Sequence, residues 1–108
     1  MSARRVSVAA LQFACSWELA QNLERAERLV RAARAGGADI IVLPELFATP
    51  YFCIEQDARH LQLAQPADDS PILRRFGALA AELGAVLPIS FFERTATAYF
   101  NSLAMFDA

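Results

Sequence analysis

Glu45 sits in the run IIVLPELF (40–47), a carboxylate among branched aliphatics, a proline and an aromatic. Flanked by Leu43, Pro44, Leu46 and Phe47, it is expected to be dried, with its pKa raised, so that it can take and return protons near neutral pH. The alternative is an ordinary loop carboxylate or the partner of an arginine. Glu93 closes a second apolar run, AVLPISFFE (85–93), and has Arg94 beside it, a pairing that is commonly just solvated. Two carboxylates across a cleft would also suit glycoside hydrolysis, but the sequence does not fix their separation. Cys15 and Cys53 have the chemistry of a nucleophile, yet a reactive thiol needs a base or a cation beside it. His60 is the only histidine, and all ten basic residues are arginine. The two cysteines fit no metal-ligand spacing and no CxxC pair, so both are expected to be reduced and buried, with no metal. Tyr51 and Phe52 follow the carboxylate closely and are expected to line a small-molecule pocket, the alternative being that they pack the loop down.

These groups must be positioned by elements that the periodicity locates. VSVAALQF (6–13) is apolar on both faces of a strand, as in a strand covered on both sides. Ser16 is expected to cap a helix whose stripe is Leu19, Leu23, Ala26, Val30 and Ala33. Glu24–Arg28 and Glu27–Arg31 pair along its outer face, and Gly36-Gly37 ends it. DIIVL (39–43) is a second strand, parallel to the first by the βαβ rule. Residues 46–66 have no clean period and form a long excursion with short helical pieces. Ser70-Pro71 opens a second helix carrying Ile72, Leu73, Phe76, Leu79, Ala80 and Leu83, closed by Gly84. Residues 85–93 are a third strand, with Pro88 leaving one side locally unpaired, and 99–106 a fourth, antiparallel to it. In open α/β sheets ligands gather beyond the carboxyl ends of the parallel strands, which brings Gln12, Glu45 and Glu93 to one edge.

The totals limit the class. A chain of 108 residues, 56% hydrophobic and 20% charged, has one domain at most and a large core. A net charge of −2 gives no basic footprint for nucleic acid. No run is long enough to span a membrane. Arg4-Arg5 before an apolar run imitates an export signal, but Ser7 and Gln12 interrupt it, so a cytoplasmic protein is expected.

Taken together, VAALQF, Asn22 on the first helix, LPELF and the tail AYFNSLAMFDA resemble the carbon–nitrogen hydrolase (nitrilase) superfamily. The resemblance covers about Val6 to Ala108. It implies an α/β fold, part of a four-layer αββα sandwich built as β-α-β-loop-α-β-β, with residues 1–108 the N-terminal portion of one domain. It makes Glu45 the general base of a Glu-Lys-Cys triad, and places Tyr99, Asn101 and Ser102 on the family's Y-x-N-S strand. The lysine and the nucleophilic cysteine have no counterpart here, so the chain alone is expected to be inactive. LQFACSW, ELF…YFC and PISFFER followed by AYFNS resemble a branch acting on N-carbamoyl amines. N-carbamoylputrescine, cleaved to putrescine, carbon dioxide and ammonia in polyamine biosynthesis, is the expected substrate. Glu93 is the candidate acid for its distal ammonium. The resemblance also implies no cofactor and a homo-oligomer at full length. The alternatives are another N-carbamoyl amine or amide, or a non-catalytic α/β module that binds a partner or small ligand.

Overall fold

The computed structural model describes residues 3–108; Met1 and Ser2, at the head of the export-like stretch, lie outside them. The elements follow in the order β1 (Val8–Ala10), α1 (Leu19–Ala35), β2 (Ile40–Val42), α2 (Pro71–Leu83), β3 (Leu87–Arg94) and β4 (Tyr99–Phe106). Two 3-10 turns, Phe52–Ile54 and Ala58–Leu63, occupy the excursion between β2 and α2.

β1 and β2 are parallel, with Val8 opposite Ile40 and Ala10 opposite Val42. β3 and β4 form an antiparallel ladder from Leu87–Phe106 to Arg94–Tyr99. A parallel bridge between Ile40 and Val86 joins the two ladders edge to edge in the order β1-β2-β3-β4. Beyond the end of β2, Gln65 takes the vacant side of β3: its amide donates to Phe92 O (2.9 Å) and its carbonyl accepts from Arg94 N (3.0 Å). Pro88, which has no N–H to offer, falls in the gap between these bridges, where β3 has no ladder on that side among the described residues.

Both helices form where the apolar stripes require. α2 begins as expected: Ser70 Oγ accepts from Leu73 N at 3.2 Å, Pro71 fills the first turn, and Gly84 ends it at a left-handed φ of 62°. α1 departs at its start. The residue before it is Glu18, which makes no side-chain cap, and Ser16 is drawn elsewhere. Its amide and carbonyl both bind the Asn22 side chain, because a buried amide must be paired. Glu27 pairs with Arg31 and reaches across to Arg75 of α2, whereas Glu24 and Arg28 form no ion pair among the described residues.

α1 and α2 cover one face of the sheet. Ile41, Leu87, Ile89 and Phe91 point into it, with Phe76 of α2 against Phe47 at 5.2 Å, edge to face. Among the described residues the first strand is therefore covered on one side, where its composition suggests two. Ala9 packs on the core, but Val8 is 61% exposed on a face that no helix reaches.

Candidate active site

Glu45 follows β2 by three residues, at the end of the sheet where ligands gather in open α/β folds. The flanking apolar residues do not dry it. Leu43, Leu46 and Phe47 all turn into the core, and the carboxylate is left exposed. One backbone feature causes this division. Leu46 has φ 50°, a left-handed conformation that a bulky residue adopts only under constraint, and its amide donates to Ser90 Oγ at 2.9 Å. The turn swings Leu46 and Phe47 inward and leaves Glu45 over the uncovered face. There it lines an open recess of about 310 Å³ with Leu43, Ser90, Asn101, Ser102 and Leu103.

Tyr51 joins Glu45. The carboxylate pushes the Tyr51 hydroxyl pKa above its ordinary value, first by hydrogen bonding to the hydroxyl and then by its charge. Glu93 is not brought to them. In a sheet, neighbours opposite one another share a face and alternate residues change face. Ser90–Leu103 and Phe92–Asn101 therefore share the uncovered face with Glu45, while Phe91–Ser102 and Glu93–Phe100 belong to the helix face. There Glu93 accepts from Ser102 Oγ at 2.7 Å and lines a separate groove beside α2 with Ser70, Arg74 and Gly77. The sheet stands between the two carboxylates, and the glycoside-hydrolase arrangement of acids facing one cleft is absent. Gln12 is exposed and does not line the Glu45 recess. Of the Y-x-N-S residues, Asn101 shares the recess's face of the sheet, Ser102 borders the recess although its hydroxyl is turned to Glu93 on the helix face, and Tyr99 does not line it; Tyr99 packs on Phe92 at 5.9 Å.

The thiols divide. Cys15 is partly buried and donates to Phe47 O at 3.0 Å, and burial pushes its pKa up, so it is a structural group. Cys53 is exposed, contrary to the expectation for both cysteines, because the turn Phe52–Ile54 buries Phe52 in its place. His60 stacks on Trp17 at 5.3 Å with 8° between the planes, packs against Phe52 with ring centroids 5.5 Å apart, and donates from Nε2 to Glu55 Oε2 at 3.2 Å. That cluster pins the excursion down beside Tyr51. Among the described residues no group of three or more His, Cys, Asp and Glu side chains is arranged to hold a metal. No helix there is long and apolar enough to cross a membrane.

Two positioning groups receive no role from the motifs. Asn22 donates to Ser16 O (2.6 Å) and Ala48 O (2.8 Å), tying the start of α1 to the turn after Glu45. Its signal was available: Asn22, Ala26 and Val30 lie four apart, so an amide occupies the apolar stripe and must find partners there. Ser90 is the one polar side chain in the run Leu87–Phe92, and nothing local says that its partner lies 44 residues away.

Comparison with known proteins bears on the family and the fold. A family model for carbon–nitrogen hydrolases matches residues 7–108. An N-carbamoylputrescine amidase of Arabidopsis thaliana is 49% identical over 105 residues, covering 97% of this chain and 35% of the relative. A citrullinase of Francisella tularensis subsp. tularensis is 41% identical over 103 residues, covering 95% of this chain and 36% of the relative. Among solved structures, a carbon–nitrogen hydrolase from Helicobacter pylori G27 superposes with a TM-score of 0.85 at 27% identity, over 94% of this chain and 35% of that one. The chain thus spans about a third of the length of the curated relatives it matches.

Proposed function

The chain belongs to the carbon–nitrogen hydrolase family and has the corresponding part of its α/β fold; from that premise we propose that it serves hydrolysis of a ureido C–N bond, with Glu45 as general base. Residues 1–108 then form the N-terminal portion of one hydrolase domain, whose remainder covers the bare sheet face and encloses Glu45. The observation that carries the reading is the turn after β2. It spends backbone strain at Leu46 to hold a carboxylate out over the ligand end of the sheet, beside Tyr51 and Asn101.

The substrate class follows from the relatives. N-carbamoylputrescine and citrulline, named in the two proteins above, are both N-carbamoyl amines. N-carbamoylputrescine is the favoured substrate, since the identity is higher to the amidase. In the reaction Glu45 takes the proton of a cysteine thiol contributed by the rest of the domain, and the thiolate attacks the carbamoyl carbon. A lysine, also from the rest of the domain, steadies the oxyanion, and ammonia leaves with the proton that Glu45 returns. Water activated by the same carboxylate then cleaves the S-carbamoyl intermediate. The carbamate released breaks down to carbon dioxide and the amine. Tyr51 borders the substrate pocket. Glu93 is assigned no contact with the ureido group, and recognition of a distal ammonium by it requires a substrate that reaches round the edge of the sheet.

The test is ammonia release from N-carbamoylputrescine and from citrulline by the full-length protein and its Glu45→Gln variant. The variant is expected to lose on the order of 10²- to 10⁴-fold in turnover, the usual worth of a positioned base. Retention of most of the activity by the variant would sink the assignment. Residues 1–108 alone are expected to show no turnover.

A further inference from the structure

The three residues after Glu45 are each held by a side chain from a different part of the chain. Leu46 N donates to Ser90 Oγ of β3 (2.9 Å), Phe47 O accepts from Cys15 Sγ (3.0 Å), and Ala48 O accepts from Asn22 Nδ2 of α1 (2.8 Å). The bonds to Phe47 and Ala48 fix where the turn sits on the core. The Ser90 bond acts on the residue adjoining Glu45, and on the one that is strained.

We propose that Ser90 is the positioning residue of Glu45. This rests on the reading of Glu45 as the base. A left-handed conformation is unfavourable for a residue with a Cβ, so Leu46 keeps its φ of 50° only while its surroundings over-determine it. Two constraints do so. The Leu46 side chain is buried in the core, and its amide is bound by the hydroxyl. Burial alone fixes the side chain but leaves the peptide between Glu45 and Leu46 free to rotate. That peptide sets the direction of the Glu45 side chain. Ser90 fixes it, and does so from the floor of the same recess, since Ser90 and Glu45 both line it. β3 is a rigid element, paired with β4 along its whole length, so the anchor does not move with the excursion. Ser90 touches no reacting atom in this scheme. It acts through the Leu46 amide.

The experiment compares kinetics and amide exchange in the full-length protein for wild type, Ser90→Ala, and the shape-matched pair Ser90→Thr and Ser90→Val. Loss of the hydroxyl should lower kcat on the order of 10- to 100-fold, as a misplaced catalytic group does, with KM little changed. The acidic limb of the kcat/KM profile, which reports the base of the free enzyme, should move in Ser90→Ala and Ser90→Val and return in Ser90→Thr. The Leu46 amide should exchange faster in the two variants without a hydroxyl, while amides of β4 keep their protection, which shows that the sheet is intact. Wild-type kcat and pH profile in Ser90→Val would overturn the inference and leave the functional reading standing. So would lost activity with Leu46 exchange unchanged. A wild-type protein without turnover, or a fully active Glu45→Gln variant, would overturn the functional reading and this inference with it.

Discussion

Ile41, Leu87 and Ile89 on one face of the sheet are 0% exposed, whereas Val8, Leu103 and Met105 on the other are 60–62% exposed. The side chains are of one kind, the buried ones on β2 and β3 and the exposed ones on β1 and β4 of the same sheet. The difference lies in what each face meets. α1 and α2 lie on the first, and their stripes of Leu23, Ala26, Val30, Phe76, Leu79 and Ala80 complete a close-packed core. The second face carries apolar residues without a layer above them, and Glu45, Ser90 and Asn101 lie among them. A strand apolar on both faces is built for two covers. On the proposed reading, Glu45 lies under a cover that this chain does not itself provide.

The largest effect that could break this contrast is in the core. Phe76→Ala should cost the 108-residue chain about 3–5 kcal/mol in urea unfolding, as truncation of a buried aromatic does. Met105→Ala on the bare face should change stability by about 0.5 kcal/mol or less. Equal costs would mean that the bare face is covered in solution. Next comes association. The 108-residue chain should bind a hydrophobic dye and sediment as oligomers, and Leu103→Lys with Met105→Lys should reduce both. In the full-length protein the same pair should instead prevent folding, because it buries two unpaired charges. Oligomers unaffected by the double change would place the contact elsewhere.

A smaller effect concerns the joint between the helices. Arg75, and after it Arg31, hydrogen-bond Glu27 and hold its carboxyl pKa below the usual 4.5. A depressed folded-state pKa stabilises the fold above the unfolded value and loses that contribution as pH falls through the folded one. Glu27→Gln should therefore cost roughly 0.5–1 kcal/mol at pH 7, screened as a half-exposed pair is, and the gap to wild type should close below pH 4.5. A gap that persists in acid would assign the effect to packing. The smallest effect lies in the excursion. Arg59 holds Asp57 down at about 2, and Asp57 accepts from Arg59 N at the start of the second 3-10 turn. Asp57→Asn should speed amide exchange in Ala58–Leu63 at neutral pH and leave global unfolding unchanged. In wild type the same loosening should appear as pH falls from 3.8 toward about 2.

What is legible in the sequence and what is not divide along the range of the interactions. α2 was legible from Ser70 to Gly84, because capping, proline at the first turn and a glycine with positive φ act within a few residues. The β3–β4 hairpin was legible for the same reason, and β4 runs from Tyr99 to Phe106 as its alternation requires. Ser16 does not cap α1, because the demand that claims it comes from Asn22, six residues further on and buried. Glu45 was placed at the right end of the right strand, but its neighbours were expected to shield it. They are drawn away by the core, and the backbone at Leu46 turns to let them go. Glu93 was sent to the same edge as Glu45, which holds along the strand direction. Which face it takes depends on strand register, and register is settled between β3 and β4.

By itself the sequence determined the order and kind of the elements, the parallel start of the sheet, and the carboxylate at its ligand end. Those follow from periodicity, caps and turn residues, whose physics is local. Only the tertiary structure decided which face of the sheet the helices cover, that Glu45 and Glu93 lie on opposite sides of it, and that Ser90 anchors the strained turn. Each of these depends on groups tens of residues apart meeting in space, where the side-chain period of two in a strand fixes the face only after the partner strand and the covering helices are in place.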